Sequence, residues 1–107
     1  MFPGYKLTIE GVDYLVPALS LGQIRNGVKE KLKEHDQAVA EGKTFEVQLL
    51  RGEVILEAIR RNYPAFLQET LENNLDLNAV GKLWLVVLGA SGFIEGEIVA
   101  ATTTAGT

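Results

Sequence analysis

The first 17 residues carry the alternating pattern of two short β-strands. β-Branched and aromatic residues recur over residues 5–9 and again over residues 12–16, and Glu10 and Gly11 lie between the two runs. Glycine tolerates the positive φ that a tight hairpin turn requires. The pattern therefore predicts an N-terminal β-hairpin over residues 1–17. Since an isolated hairpin is only marginally stable in water, we expect it to pack against another element.

From Ser20 onward the apolar positions recur every three or four residues, which is typical of an amphipathic helix. These positions are Leu21, Ile24, Val28, Leu32, His35 and Val39. Ser20 is a good N-cap residue, and Gly42 is a natural stop signal after the last turn. We expect the polar residues between these positions to face solvent.

A second helix is predicted over residues 44–63, and its apolar residues cover more than one face. One stripe consists of Phe45, Leu49, Leu56, Ile59 and Tyr63. Such a helix is normally central to its domain. Gly52 falls on the same stripe and costs about 1 kcal/mol relative to alanine, so we expect another helix to approach closely there. Pro64 ends the helix because it disfavours the helical conformation of the residue before it.

Two shorter helices complete the prediction. Leucines spaced four residues apart at 67, 71 and 75 indicate a third helix, and Asn78 is expected to cap a fourth that runs from Ala79 to about Gly89. The predicted fold is mainly α, with an N-terminal β-hairpin followed by a compact bundle of about four helices. We expect a single domain over residues 1–92, helical from 18 to 92, and a flexible C-terminal tail over 93–107.

Composition and charge argue against several classes of function. The chain has 107 residues, of which 47% are hydrophobic and 22% charged, so one folded domain is expected. It has no cysteine, so no disulfide is expected. Its formal net charge of −4 argues against nucleic acid as a partner. The longest apolar run, at residues 83–88, is far shorter than the roughly 20 residues of a membrane span. Without a signal-peptide pattern at the N-terminus, a cytoplasmic protein is expected.

Catalytic chemistry is not indicated. His35 is the single histidine, and neither Ser20 nor Ser91 lies in a nucleophile-elbow sequence. We interpret His35 as bordering the core with an exposed edge. The glycine-rich residues 89–92 follow a helix, whereas a phosphate-binding loop must precede one. We predict no enzyme activity, no metal site and no cofactor.

The six apolar residues at 83–88 face every direction on a helix, so a small domain has difficulty covering them all. Large side chains left exposed forgo about 1.5–3 kcal/mol of burial each. One interpretation is that a partner covers them, with Trp84 as the central contact. The alternative is that this helix inserts between the second helix and the hairpin and is buried all round.

Three stretches resemble a known family, the small tail assembly chaperones of long-tailed bacteriophages. They are residues 14–23, residues 57–64 with Arg-Arg-Asn-Tyr-Pro at 60–64, and residues 75–78 together with 83–92. The resemblance implies a protein that binds the tape measure protein, keeps it soluble and is absent from the finished virion. Recruitment of the tail-tube protein is a further activity that the resemblance suggests. The resemblance implies no catalytic residue. We place the partner-binding surface at Trp84, Leu85 and Val86, with Tyr63 as a neighbour.

Two other functions remain open at this point. The first helix carries Arg25, Lys29, Lys31 and Lys33, and a small DNA-binding regulatory protein would use such a cluster, although interleaved glutamates dilute it. A structural tail-completion or connector subunit is the other alternative. Self-association is compatible with all of these functions.

Overall fold

A computed structural model of the chain describes residues 1–93 and begins with the predicted hairpin. Strands β1 (Gly4–Ile9) and β2 (Val12–Pro17) pair antiparallel, with Ile9 opposite Val12. Both turn residues have positive φ, 52° at Glu10 and 78° at Gly11, as a two-residue hairpin turn requires. At the other end of the pair, a side chain at Gly4 would collide with the backbone of Val16.

The remaining described elements are helical. The first helix consists of α1 (Leu21–Gln23), a π-helical turn (Ile24–Val28) and α2 (Lys29–Ala40), which follow one another without a loop. It is followed by α3 (Thr44–Asn62), α4 (Gln68–Asn74) and α5 (Leu77–Ala90). Within residues 1–93 the chain thus forms a hairpin and four helical segments, and the predicted fold class is confirmed.

Of the two helix N-caps predicted from the sequence, one is confirmed and one is wrong. Ser20 and Gln23 form a full capping box, in which the Gln23 N–H donates to Ser20 Oγ at 3.0 Å and the Ser20 N–H donates to Gln23 Oε1 at 2.9 Å. The predicted cap at Asn78 is wrong. The N-cap of α5 is Asp76, whose carboxylate accepts a hydrogen bond from the Ala79 N–H at 2.8 Å.

The break near the start of the first helix was not predicted. Asn26 has φ −98° and ψ 18°, and Gly27 has φ 163° and ψ −43°, so the helix changes direction within the π-helical turn. Apolar spacing does not reveal such a break, because the apolar residues on either side keep their helical intervals.

Helix α3 lies at the centre of the molecule, packed against α2, α5 and β2. Its Val54, Ile55 and Ile59 have no exposed surface. The main core joins them to residues of the hairpin and of α5, namely Ile9, Val16, Leu83, Trp84, Val87 and Leu88. The predicted central role of α3 is therefore confirmed.

The end of the described chain differs from the predicted tail at one residue. Phe93 packs against the main core, and its N–H donates to the Leu88 carbonyl at 3.1 Å. The rest of the predicted tail, residues 94–107, lies outside the described residues. Among the helices that the structure describes, none combines the length and the apolar character needed to cross a membrane.

Candidate protein-binding site

Trp84, the predicted centre of the partner-binding surface, is fully buried. Leu83, Val87 and Leu88 of the same helix are also buried, because α5 packs along α3. The prediction that Trp84 contacts a partner on the surface is wrong. Of the two interpretations of the apolar run, insertion into the core describes most of its residues.

Trp84 lies against a histidine and an arginine from the other helices. Its ring centroid is 4.5 Å from that of His35, with the two planes inclined by 31°, and the Arg51 guanidinium carbon is 5.5 Å from the indole centroid. His35 has no exposed surface at all, so the exposed edge expected from the sequence does not exist. This cluster connects α2, α3 and α5.

The contacts of His35 determine its protonation state. Arg51 Nε donates to His35 Nε2 at 3.0 Å, so Nε2 carries no proton, and Nδ1 donates to Asp36 Oδ1 at 3.1 Å. Burial lowers the pKa of His35, and the nearby Arg51 charge lowers it further, against the opposing effect of Asp36. Burial also lowers the pKa of Arg51. The imidazole is therefore a structural acceptor with no access to a substrate.

Tyr63 attaches the hairpin to the end of α3. Its hydroxyl accepts a hydrogen bond from the Leu15 N–H at 2.9 Å, and its ring meets Tyr14 edge-on at a centroid distance of 5.1 Å. The adjacent Asn62 donates to the Leu15 carbonyl at 3.0 Å and exchanges two hydrogen bonds of 2.8 Å with the backbone of Phe2. Asn62 and Tyr63, which belong to the Arg-Arg-Asn-Tyr-Pro sequence at residues 60–64, therefore hold the hairpin in place.

Arg60 and Arg61 of the same sequence also make contacts within the protein. Arg60 Nε donates to the Phe66 carbonyl at 2.9 Å, while Arg61 donates to the Ala18 carbonyl at 2.8 Å and lies over the Phe2 ring at 3.7 Å. Tyr63, at the C-terminal end of α3, is half-buried, and so is Val86 on α5. Of the four predicted partner-binding residues, Leu85 alone is largely exposed, with 48% of its surface accessible.

Three other exposed apolar side chains, Phe45, Leu49 and Leu77, lie together in a groove between α3, α4 and the start of α5. The groove has a volume of about 280 Å³. Its apolar walls are formed by Phe45, Leu49, Leu71, Leu75, Leu77 and Val80. Phe45, Leu49 and Leu77 remain 72%, 43% and 66% exposed, so the N-terminal half of the α3 stripe is not core, contrary to the expectation from the sequence.

Gly52 also lines the groove. A Cβ atom added at this position would meet nothing within 4 Å, so the predicted close helix approach does not occur. The sequence signal was present, since Phe45, Leu49 and Gly52 share one face of α3 at helical spacing. The same spacing is equally typical of a buried stripe, because no pattern in the sequence shows which faces of a helix are covered.

The groove offers an apolar surface that a partner can bury. Among residues 1–93, no three His, Cys, Asp or Glu side chains lie close enough together to hold a metal ion. The largely apolar lining of the groove can bind an apolar side chain. Comparison with protein-family models, with curated protein sequences and with solved structures finds no match for the chain.

Proposed function

We propose that the protein is a non-catalytic phage tail assembly chaperone, which acts in the host cytoplasm and holds an apolar segment of the tape measure protein in the α3–α4–α5 groove. The client-binding residues are Phe45, Leu49 and Leu77, in place of Trp84. Recruitment of the tail-tube protein would be a separate activity of the same complex.

The exposure of Phe45, Leu49 and Leu77 around one groove is the observation that carries this proposal. Each large apolar side chain moved from water into an apolar contact contributes about 1.5–3 kcal/mol. Isolated exposed leucines are common on protein surfaces, but a contiguous apolar groove is typical of a binding site. The chaperone assignment itself depends on the three resembling stretches.

The size and setting of the groove favour a peptide segment as ligand. Small-molecule pockets usually occupy about 300–1,000 Å³, and this groove, at about 280 Å³, lies at the lower limit. It is bordered by helices, so main-chain pairing with an added strand is not available there. An amphipathic helix that inserts two or three side chains fits such a groove.

The proposal is tested with a substitution that fills the groove without removing a contact. Gly52→Leu places a side chain in the open space above α3. It also replaces glycine, which has the lowest helix propensity of any residue except proline. We expect this variant to be at least as stable as the parent protein. When it is coexpressed with the tape measure protein encoded beside it, we expect the soluble yield of the client and the complex seen by size exclusion to fall sharply.

Gly89→Leu is the matched control. Gly89 lies in α5, also has open space around its Cβ position, and does not line the groove. It should leave client solubility unchanged. If the parent protein gives no gain in soluble client and no complex, the chaperone proposal is wrong; if Gly52→Leu binds as well as Gly89→Leu, the groove is not the binding site.

The structure offers less support for the DNA-binding alternative. Lys31 and Lys33 of the first helix form ion pairs with Glu53 and Glu30, and the arginine pair at the end of α3 is committed to backbone carbonyls. A role as a virion subunit predicts that the protein is present in purified particles. A chaperone is absent from them, so particle composition separates the two.

A further inference from the structure

We infer that the groove selects a cationic amphipathic segment, in which lysine or arginine residues flank the apolar positions, and that it rejects an acidic segment with the same apolar face. This inference rests on the proposed function, because it specifies the chemistry of the client at the same site. It arises from the distribution of carboxylates around the groove.

The apolar groove continues into an acidic cleft. Glu53 and Glu72 line the groove, and no lysine or arginine does so among the described residues. A neighbouring cleft of about 410 Å³ between α2 and α3 shares Leu49 and Glu53 with the groove. The carboxylates that line this cleft are Glu34, Glu41, Glu46 and Glu53. The two depressions therefore form one surface, apolar at one end and acidic at the other.

Internal ion pairs neutralise part of this charge. Lys43 contacts Glu41 at 3.0 Å, and Lys31 contacts Glu53 at 3.3 Å. Within residues 1–93, the structure places no ion-pair partner within 4.0 Å of Glu34, Glu46 or Glu72. Lys43 also lines the cleft and is attracted by the charge of Glu46, and Glu72 accepts a hydrogen bond from the Gln68 amide at 3.1 Å. In the described part of the chain, none of the three carboxylates is held in an ion pair, so each can still attract a cationic partner.

Apolar and acidic groups have separable effects on such a partner. Burial of apolar side chains supplies most of the affinity, whereas complementary charge raises the association rate and disfavours partners of the wrong sign. On a helical client, residues at i, i+3 or i+4, and i+7 enter the groove, and the positions beside them face the carboxylates. Lysine or arginine at those positions is attracted, and glutamate is repelled.

Three synthetic helical peptides test the inference against the full-length protein. They share one apolar face and carry lysine, glutamine or glutamate at the flanking positions. By fluorescence anisotropy in about 50 mM salt, we expect the lysine peptide to bind about tenfold more tightly than the glutamate peptide, with glutamine between them. In about 500 mM salt the difference should shrink to less than about threefold, because exposed charges are screened.

A double variant locates the effect on the protein. Glu46→Gln combined with Glu72→Gln should weaken the preference for lysine while leaving the affinity of the glutamine peptide unchanged, and Glu34 and Glu53 account for the preference that remains. Glu69→Gln is the control, because Glu69 is exposed on α4 and does not line the groove. Equal affinities for the three peptides overturn the charge selection and leave the proposed groove intact. Failure of all three to bind overturns both.

Discussion

At position 35 a histidine without exposed surface lies between an arginine and a tryptophan. The neutral imidazole accepts the Arg51 hydrogen bond, and Arg51 is nine-tenths buried. Protonation would remove that acceptor and place a second positive charge beside the first. A buried charge without compensation is costly, so the cluster is compatible with the neutral ring alone.

The first prediction concerns the pH dependence of stability. The pKa of His35 is lowered in the folded protein, so the unfolded chain binds more protons as the pH falls through about 6.5. The stabilisation by neutral His35 is fully present above that pH and is lost below it, by about 1.4 kcal/mol for each unit of pKa difference. Urea unfolding followed at several pH values should show this decrease.

His35→Gln is the control for that experiment, because its amide oxygen can accept the Arg51 hydrogen bond without titrating. Between about pH 7.5 and 5.5, the variant should lose less unfolding free energy than the parent protein. Parallel curves for the two proteins would show that His35 does not cause the pH dependence.

The second prediction concerns Asn62. Asn62→Ala removes the hydrogen bonds to Phe2 and to the Leu15 carbonyl, which is partly buried. Leaving such a group unpaired costs about 1–3 kcal/mol, and we expect a loss of unfolding free energy in that range in chemical denaturation. Asn73, exposed on α4, provides the comparison, and Asn73→Ala should change stability by less than about 0.5 kcal/mol. Equal effects would contradict the role given to Asn62.

Single residues also mark the limit of what the sequence could predict. The turn residues Glu10 and Gly11 and the cap Ser20 act on their immediate neighbours, and their roles were predicted correctly. Arg51 was overlooked, since its partner His35 lies 16 positions away on another helix. An arginine inside a helical pattern is normally assigned to the solvent face.

At the scale of whole elements, α5 shows why burial was harder to predict than helicity. Its six consecutive apolar residues gave no periodicity from which a covered face could be read. The structure buries Leu83, Trp84, Val87 and Leu88, and leaves Leu85 exposed. Conversely, the groove-facing half of α3 has a clear apolar stripe but no element laid over it. The groove that α3 forms with α4 and the start of α5 was therefore not predicted from the sequence.

The third prediction tests where α5 begins. Asp76→Ala should lower the unfolding free energy by about 1 kcal/mol, because the Ala79 N–H loses its acceptor and the helix dipole loses a favourable charge. Asn78→Ala, two positions later, should change it by less than about 0.5 kcal/mol. Urea denaturation of both variants measures the difference. A larger effect at Asn78 would show that Asn78 caps the helix, as expected from the sequence.

For the molecule as a whole, the sequence predicted the class of fold and the order of its elements, since hairpin turn, caps and Pro64 divide the chain locally. It could not predict that the hairpin would be held by Asn62 and Tyr63 from the end of α3. Those contacts join residues more than 40 positions apart. Their consequence is that the two-stranded hairpin shares one continuous core with the helices.

A shared core leads to the fourth prediction, that hairpin and helices unfold together. Val16 on β2 and Trp84 on α5 belong to the same buried cluster, and Trp84 is the single tryptophan of the chain. Val16→Ala should cost about 2 kcal/mol and should lower the urea midpoint equally in Trp84 fluorescence and in helical circular dichroism. Val12→Ala changes the same residue type on the same strand at an exposed position, and should leave both midpoints in place. If Val16→Ala left the midpoints of both Trp84 fluorescence and circular dichroism unchanged, the hairpin would unfold independently of the helices. Coincident shifts of both midpoints would make the hairpin part of the single cooperative unit that also forms the groove.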